Sequence, residues 1–556
     1  MLLLTSCALA VTLARLGATA STFAGSTSTF QFPQPMPLSL RPILSSQTLN
    51  RSALQDQLQV AGDEAGSIAT APAVAKVEQA FPLVQPNTSD NKESSFNVID
   101  HWGNLSPFKS VASFGLPNAS AVIPAGYTLQ QVQLLHRHGA RYPTSGSGPA
   151  DFATELHAAA QGVGFNATGP LEFLNIWTYK LGAEILTPFG REQLFNLGVG
   201  FRVKYGQLLK GFSDLPVWRT TSEERMVDSA YVAAIGQNLN ITDAGLACIS
   251  QQAFSVFRAI LPDYHQLIEI EADGFNSTLA PYEICPNANN NISSFGSVQS
   301  QKWIQLYLAP AQERLSPFIE GFNLTIADIY NMQTLCPYET VALGYSVFCD
   351  LFTEEEWKGF EYSLDLAFWY SNGPGNPATS ALGRGWVEEL VSRLTQERIT
   401  SFGSSVNETI VSNDVTFPLN QPIFVDASHD TVITAIITAM NFTSIAANGP
   451  LPTDHIPDNQ TYIVTQLAPF GSNLVGQVLS KDGSTNPTHI RWILNDGVVP
   501  LTGINGCAED PNGLCDLPTF IAGMKQRIQE IDFDFDCFAN YTIPDPDTIT
   551  DGQFPQ

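Results

Sequence analysis

Three segments of this chain repeat one pattern: a short apolar run, a polar stretch, then an amphipathic helix. The first is "VQLL" (Val132 to Leu135), which leads into "HRHGARYPTSG". The second is "PVW" from Pro216, followed by "RTTSEERMVDSAYVAAI", where Val227, Ala230, Tyr231 and Ala234 share a helical stripe. The third is "IFV" from Ile423, followed by "DASHDTVITAIITAM", with Val432, Ile433, Ile436, Ile437 and Met440 on one face. Apolar strands alternating with helices predict an α/β sheet, and such sheets bind ligands outside the carboxyl ends of their strands. Each of the three predicted strand ends carries His, Arg or Asp: His136, Arg137, His138 and Arg141; Arg225; His429 and Asp430.

The rest of the chain frames that sheet. From roughly 240 to 375 the strand signals fade, and helical stretches such as "VQSQKWIQLYLAPAQERL" and "TEEEWKGFEYSLDLAFWY" dominate. This predicts a mainly helical insertion, residues 241–375, walling one side of a cleft. The large α/β unit is then read as two pieces, 96–240 and 376–545, with 546–556 as a tail. "HIRWILNDGVVPL" reads as a hairpin around an Asn-Asp-Gly turn. Residues 21–95 are rich in Ser, Thr, Pro, Gln and Ala without periodicity, and are expected to be a disordered or processed leader. Residues 1–20 end in Ala-Thr-Ala after a short apolar core, a pattern expected of a secretory signal.

Secretion fits the Asn-x-Ser/Thr sequons that recur from Asn50, Asn87, Asn104 and Asn118 through to Asn540 and predict N-linked glycans. No apolar tail follows Asn540, so neither a GPI anchor nor a C-terminal membrane span is expected. Beyond Cys7, the cysteines are Cys248, Cys285, Cys336, Cys349, Cys507, Cys515 and Cys537, an odd number. Cys507 and Cys515 flank a turn-rich loop that a disulfide would close, and Cys336 and Cys349 flank a similar one. The balance of 26 Lys+Arg against 53 Asp+Glu, a formal charge of -27, argues against nucleic acid as a partner and suits a protein working in acid.

Three guanidiniums converging on one spot describe a phosphate site, because arginine offers paired bonds to phosphate oxygens. Two imidazoles beside them suggest that one attacks phosphorus while the other binds. A carboxylic acid there would protonate the leaving alkoxide and later activate water. His136 and His138 stand two apart and would share a strand face. A metal hydrolase using them with His429 or Asp430 is the alternative, but Arg137 and Arg141 would set cations beside a dication. Asp430 alone would be an ordinary helix cap, and Arg225 alone a solvated helix residue.

These residues also resemble a family. "RHGARYP" (Arg137 to Pro143) is similar to the RHGxRxP signature of histidine acid phosphatases, and "SHD" (Ser428 to Asp430) resembles their downstream HD element. The likeness runs from about residue 98 to 542 and is closest to fungal phytase-type enzymes, through "RTTSEER", "CPYETVALGYSVFCDLFTEEEW", "GPGNP", "APFGSNLVGQV" and "LNDGVVPLTG". The resemblance implies a phosphoglycerate-mutase-like large α/β domain with a smaller, mainly α-helical inserted domain. It implies that His138 becomes a phosphohistidine, that Arg137, Arg141, Arg225 and His429 bind phosphate, and that Asp430 donates the proton. Arg225, rather than Arg219, falls where the family places its third arginine. No cofactor or metal is implied, and the implied disulfides are Cys336–Cys349, Cys507–Cys515 and Cys285–Cys537, which leave Cys248 over.

Departures from the pattern bear on the substrate. A bridge typical of ascomycete phytases is missing at both ends, with Tyr127 in "PAGYTL" and no cysteine in "QVLSKDG". The loop "TSGSGPADFATE" has no Lys or Arg, Thr431 follows HD, and Ala367, Phe368 and Asn372 stand where many phytases carry basic residues. Phytate (myo-inositol hexakisphosphate) is a dense polyanion, so small phosphomonoesters are expected ahead of it. The alternatives are an inactive secreted glycoprotein that binds phosphorylated ligands, and a phosphomutase.

Overall fold

The structure is a computed structural model, and it describes residues 96–209, 212, 214, 216–238, 265–544 and 547–555. The expected signal and leader, and Cys248, lie outside these residues. In chain order, the first half contains β1 (Tyr127–Arg137), α1 (Gly148–Gln161), α2 (Pro188–Tyr205), β2 (Val217–Thr221), α3 (Glu224–Asn238) and β3 (His265–Glu269). Four long helices follow: α4 (Phe295–Tyr307), α5 (Ile326–Leu343), α6 (Glu354–Asn372) and α7 (Thr379–Thr395). The last part holds β4 (Ile423–Ser428), α8 (Asp430–Ala439), β5 (Asn473–Lys481), β6 (His489–Leu494), β7 (Gly497–Val499), β8 (Cys515–Asp516) and α9 (Leu517–Glu530).

One mixed sheet organises these elements in the order β8-β6-β5-β1-β4-β2-β3, with β7 paired to β6. β1, β4, β2 and β3 run parallel, whereas β5 joins β1 antiparallel and starts the second half of the sheet. Central strands covered on both faces read as unbroken apolar runs, which is why "VQLL" and "IFV" stood out. Leu134 and Val425 pack on the side of Phe201 and Tyr205 from α2, whereas Leu135 packs with the helices α7 and α8 on the other side. α8 is buried along nearly its whole length. The hairpin forms as expected: Asn495 and Asp496 both take positive φ, the backbone a two-residue turn requires.

The helical unit differs from its expected boundaries in two ways. β3 falls inside 241–375 yet pairs in parallel with β2 at the edge of the sheet, from Val217↔His265 to Thr221↔Glu269. Its "HQLIE" interleaves polar and apolar residues, so it lacks the continuous run that marked the others. Conversely α1 lies outside that span, but its Phe152 and Leu156 pack in one cluster with Leu335, Phe348, Trp357 and Phe360. Thr325 and Thr353 begin α5 and α6 with capping boxes, satisfying the first amide groups of each helix.

Three disulfides form, Cys285–Cys537, Cys336–Cys349 and Cys507–Cys515, the pairs the resemblance implies. Cys336 does not sit at a loop edge, however; it lies inside α5, buried, one turn below the Thr340 hydroxyl that bonds back to its carbonyl. Phe368 is buried in the core and so is a packing position, whereas Ala367 and Asn372 are half-buried.

Candidate active site

β1 and β4 lie side by side and end together, with Arg137 paired to Ser428. The segment after β1 therefore meets the segment after β4. The His138 amide donates to the Ser428 carbonyl at 3.2 Å, and Gly471 donates to the His138 carbonyl at 3.0 Å. Gly139 is required by a close approach: a Cβ there would stand 2.2 Å from the Gly190 carbonyl oxygen at the start of α2. That approach lets the Ala140 carbonyl accept from the Thr187 amide at 2.9 Å, fixing the loop before Arg141.

The imidazole of His138 is wholly buried, and its Nδ1 lies 2.8 Å from the Gly139 carbonyl oxygen. A carbonyl only accepts, so Nδ1 carries the proton and Nε2 keeps a free lone pair. Burial pushes the His138 pKa well below the usual value, and the positive charges of Arg137, Arg141, His429 and Arg225 push the same way. The ring consequently keeps its neutral form to lower pH than an ordinary histidine. His429 faces it, ring centres 5.7 Å apart.

Arg137 is buried and held on several sides. One Nη donates to the carbonyls of Asn104 and, at 2.8 Å, Ala468; the other pairs with Asp430 Oδ2 at 2.7 Å; and the guanidinium lies 4.4 Å over the Phe470 ring. The same Asp430 oxygen accepts from Asn104 Nδ2 at 2.8 Å, while Oδ1 accepts from the Thr431 amide at 2.9 Å. Burial pulls the Asp430 pKa up, but Arg137 and the Asn104 bond outweigh it and hold the carboxyl below its ordinary range. Asn104 was read as a sequon; its amide nitrogen is instead engaged on Asp430.

The opposite wall is acidic. His429 Nε2 lies 3.2 Å from the Glu271 carboxylate, which also accepts from the Tyr282 hydroxyl. Although burial opposes it, the His429 hydrogen bond helps to lower the Glu271 pKa to about 2. Arg225 Nη1 pairs with Glu184 Oε2 at 2.9 Å, and Nη2 pairs with Glu223. The Ser145 amide donates to Glu184 at 2.8 Å, which brings the cation-free "TSGSG" loop to this wall.

His138, Arg137, Arg141, Arg225, His429 and Asp430, the six site residues expected from the sequence, lie close together at the carboxyl edge of the sheet. Sequence reasoning missed Asn104, Phe470, Glu184, Glu223 and Glu271. Asn104 stands out in the sequence only as a sequon and Phe470 only within "APFGSNLVGQV", and neither carries a chemical signal by itself. His136 and Arg219 turn elsewhere. His136 is buried with Nδ1 3.1 Å from the Arg137 carbonyl, and burial lowers its pKa to about 4. Arg219 is buried on β2 against Asp426 at 2.8 Å, Glu389 at 2.6 Å and Glu269 at 3.2 Å, a structural cluster and not a surface charge. Among the described residues the metal set of His136 and His138 with His429 or Asp430 does not assemble.

The comparisons with known proteins decide the family. The model of the histidine phosphatase superfamily, branch 2, matches residues 128–495. The chain belongs to that superfamily. Phytase A of Aspergillus fumigatus is 32% identical over 435 residues, covering 76% of this chain and 87% of that protein. Phytase A of Arthroderma benhamiae is also 32% identical over 435 residues, covering 76% and 89%. Among solved structures, the phytase from D. castellii covers 82% of this histidine phosphatase and 93% of its own chain at 24% identity, with a TM-score of 0.62. The Bifidobacterium longum multiple inositol polyphosphate phosphatase, solved with inositol hexasulfate, gives a TM-score of 0.54 at 13% identity, covering 75% of this chain and 96% of its own. These two likenesses show the histidine phosphatase fold.

Proposed function

We propose that this protein is a secreted acid phosphatase that hydrolyses phosphate monoesters through a phosphohistidine on His138. That it is a phosphoric monoester hydrolase follows from its family and its phytase A relatives. The observation that carries the rest is the His138 ring: its Nδ1 proton engaged on Gly139, its Nε2 free, and three arginines around it that disfavour its protonation. In the first step Nε2 attacks phosphorus, the P–O ester bond breaks, and the leaving oxygen takes a proton from Asp430. In the second, Asp430 takes a proton from water as that water attacks phosphorus, and the P–N bond breaks to release phosphate. Arg137, Arg141, Arg225 and His429 bind the phosphoryl oxygens and stabilise their charge as it transfers.

The phytase A relatives support phytate-like esters as substrates. The acidic wall of Glu184, Glu223 and Glu271 supports a preference for esters bearing a single phosphate. No helix of the described residues is long and apolar enough to cross a membrane, and the sequons and N-terminal pattern support secretion with N-linked glycans. Asn118, Asn166, Asn323 and Asn540 are exposed, as glycan sites must be. The test is p-nitrophenyl phosphate hydrolysis in acid by the native protein and by His138→Ala. Loss of turnover and of acid-labile phosphate on the protein is expected; a variant that keeps full activity would overturn the mechanism.

A further inference from the structure

Arg225 and His429, two of the groups assigned to phosphate, already share an anion. Glu223 Oε2 forms an ion pair with Arg225 Nη2 and lies 3.8 Å from His429 Nε2. We infer that Glu223 is a specificity-determining residue, a built-in carboxylate that competes with the substrate phosphoryl group for Arg225 and His429. This rests on the phosphatase reading above and adds to it a residue that selects against weakly bound and highly charged esters.

The argument starts from charge. An arginine held by two carboxylates, Glu184 at one terminal nitrogen and Glu223 at the other, has both terminal nitrogens paired before substrate arrives, and only its Nε has no partner. A phosphate that takes those donors must first displace the carboxylate, and the displaced charge then faces the incoming dianion. The two carboxylates are not equivalent. Glu184 is fixed from behind by the Ser145 amide and has no contact with His429 in the ion pairs of the site, whereas Glu223 bridges the two phosphate ligands. Glu223 is also about one-third exposed, with a side-chain exposure of 35%, so it has room to swing out.

Several charged and titratable groups face Glu223. They are Arg225 from its own segment, Glu184 from the segment before α2, and Arg141 after β1. Glu271, Tyr282 and Glu283 face it from the chain beyond β3, and His429 from the start of α8. Burial raises the Glu223 pKa and the neighbouring Glu271 charge adds to the rise, while Arg225 and His429 oppose it. Glu223 therefore gives up its charge earlier than an ordinary glutamate as pH falls, and the competition weakens in acid.

The test compares native protein with Glu223→Gln, a near-isosteric change at a half-buried site, using p-nitrophenyl phosphate kinetics and inorganic phosphate as competitive inhibitor between about pH 3 and 7. The ratio of native to variant KM cancels the titration of the substrate itself. It is expected to approach 1 at the acid end and to rise to about 10 near neutrality, the equivalent of about 1.4 kcal/mol. The Ki for inorganic phosphate should follow the same curve, and kcat should change less than KM. A flat ratio near 1, or a variant with higher KM, would overturn the proposal; the latter would make Glu223 a support for Arg225. Calorimetric binding of inorganic phosphate gives the same comparison without turnover. It separates failure of this inference from failure of the phosphatase reading, which would appear as no turnover in the native protein. Glu223→Ser provides the same readouts should the glutamine variant not fold.

Discussion

Replacing Asp430 with asparagine separates its part in proton transfer from its part in holding the site. The carboxylate accepts from Arg137, Asn104 and the Thr431 amide. An asparagine has the same shape, and its carbonyl oxygen can keep the Arg137 and Asn104 bonds. Arg137 also retains two backbone carbonyls and the Phe470 face. What disappears is a charge and a transferable proton. A pair of charges about 4 Å apart attracts by about 4 kcal/mol at an effective dielectric of about 20, but the solvation lost on burial opposes most of that. General acid catalysis is worth about 10²–10⁴ in rate, or roughly 2.7–5.4 kcal/mol at about 1.36 kcal/mol per decade.

The proton is therefore the quantity to measure, and the leaving group reports it. With an alkyl ester such as glycerol phosphate, whose alkoxide cannot leave unprotonated, Asp430→Asn should lose about 10²–10⁴ in kcat. With p-nitrophenyl phosphate, whose phenolate leaves readily, the loss should stay near tenfold or below. Because Arg137 holds Asp430 ionised in the free protein, the proton it needs must come with the substrate monoanion, whose second pKa is about 6. The native kcat/KM should thus fall above about pH 6. Equal losses for both leaving groups, or a kcat/KM that holds level to about pH 8, would refute this reasoning.

Two further perturbations address the frame around the site. His136 has a folded pKa of about 4 against an unfolded value of about 6.5. Between those values the unfolded chain binds a proton the folded chain does not, so stability falls by about 3 kcal/mol as pH drops through that window. His136→Gln should flatten the decline in Tm between pH 7 and 4, and an unchanged slope would contradict the assignment. Arg219→Met leaves Asp426, Glu269 and Glu389 facing one another without that guanidinium. It should cost about 3–5 kcal/mol in denaturant unfolding; a loss under about 1 kcal/mol would show that Arg393 of α7, paired with Asp426 at 2.8 Å, neutralises it alone.

Much of the site was legible because its chemistry follows directly on apolar strands. Arg137–His138 and His429–Asp430 each continue a buried run, and parallel pairing sets such ends side by side. β3 was not legible, because an edge strand interleaving Gln266 and Glu269 with Leu267 and Ile268 lacks that run. Asn104 and Phe470 were not legible for another reason. Asn104 reaches Asp430 across 326 positions, and Phe470 lies far along the chain from Arg137. Their roles come from tertiary packing, which leaves no local periodicity. The same holds for α1: "TSGSGPADFATE" reads as a loop in the sequence, but from Gly148 on it is a helix whose place against α5 is set by tertiary packing.

The acidic wall was hidden by composition itself, since three more glutamates carry no signal in a chain with 53 Asp+Glu. Yet the two that touch His429 respond to acid in opposite directions. Glu271, lowered to about 2 with the His429 bond working against burial, stays charged through the acid range and continues to orient that imidazole. Glu223, raised by burial and by Glu271, loses its charge first and releases Arg225. Acid therefore removes the carboxylate that competes with phosphate while sparing the one that positions a phosphate ligand. A fully basic cleft would bind dianions more tightly at neutral pH but would have no such selectivity for acid. The falling limb of kcat/KM near neutrality should thus contain two components: the substrate proton, seen equally in native and Glu223→Gln proteins, and the Glu223 charge, seen only in the native one. Observation of a single, superimposable limb in both proteins would assign all of the pH dependence to the substrate and Asp430.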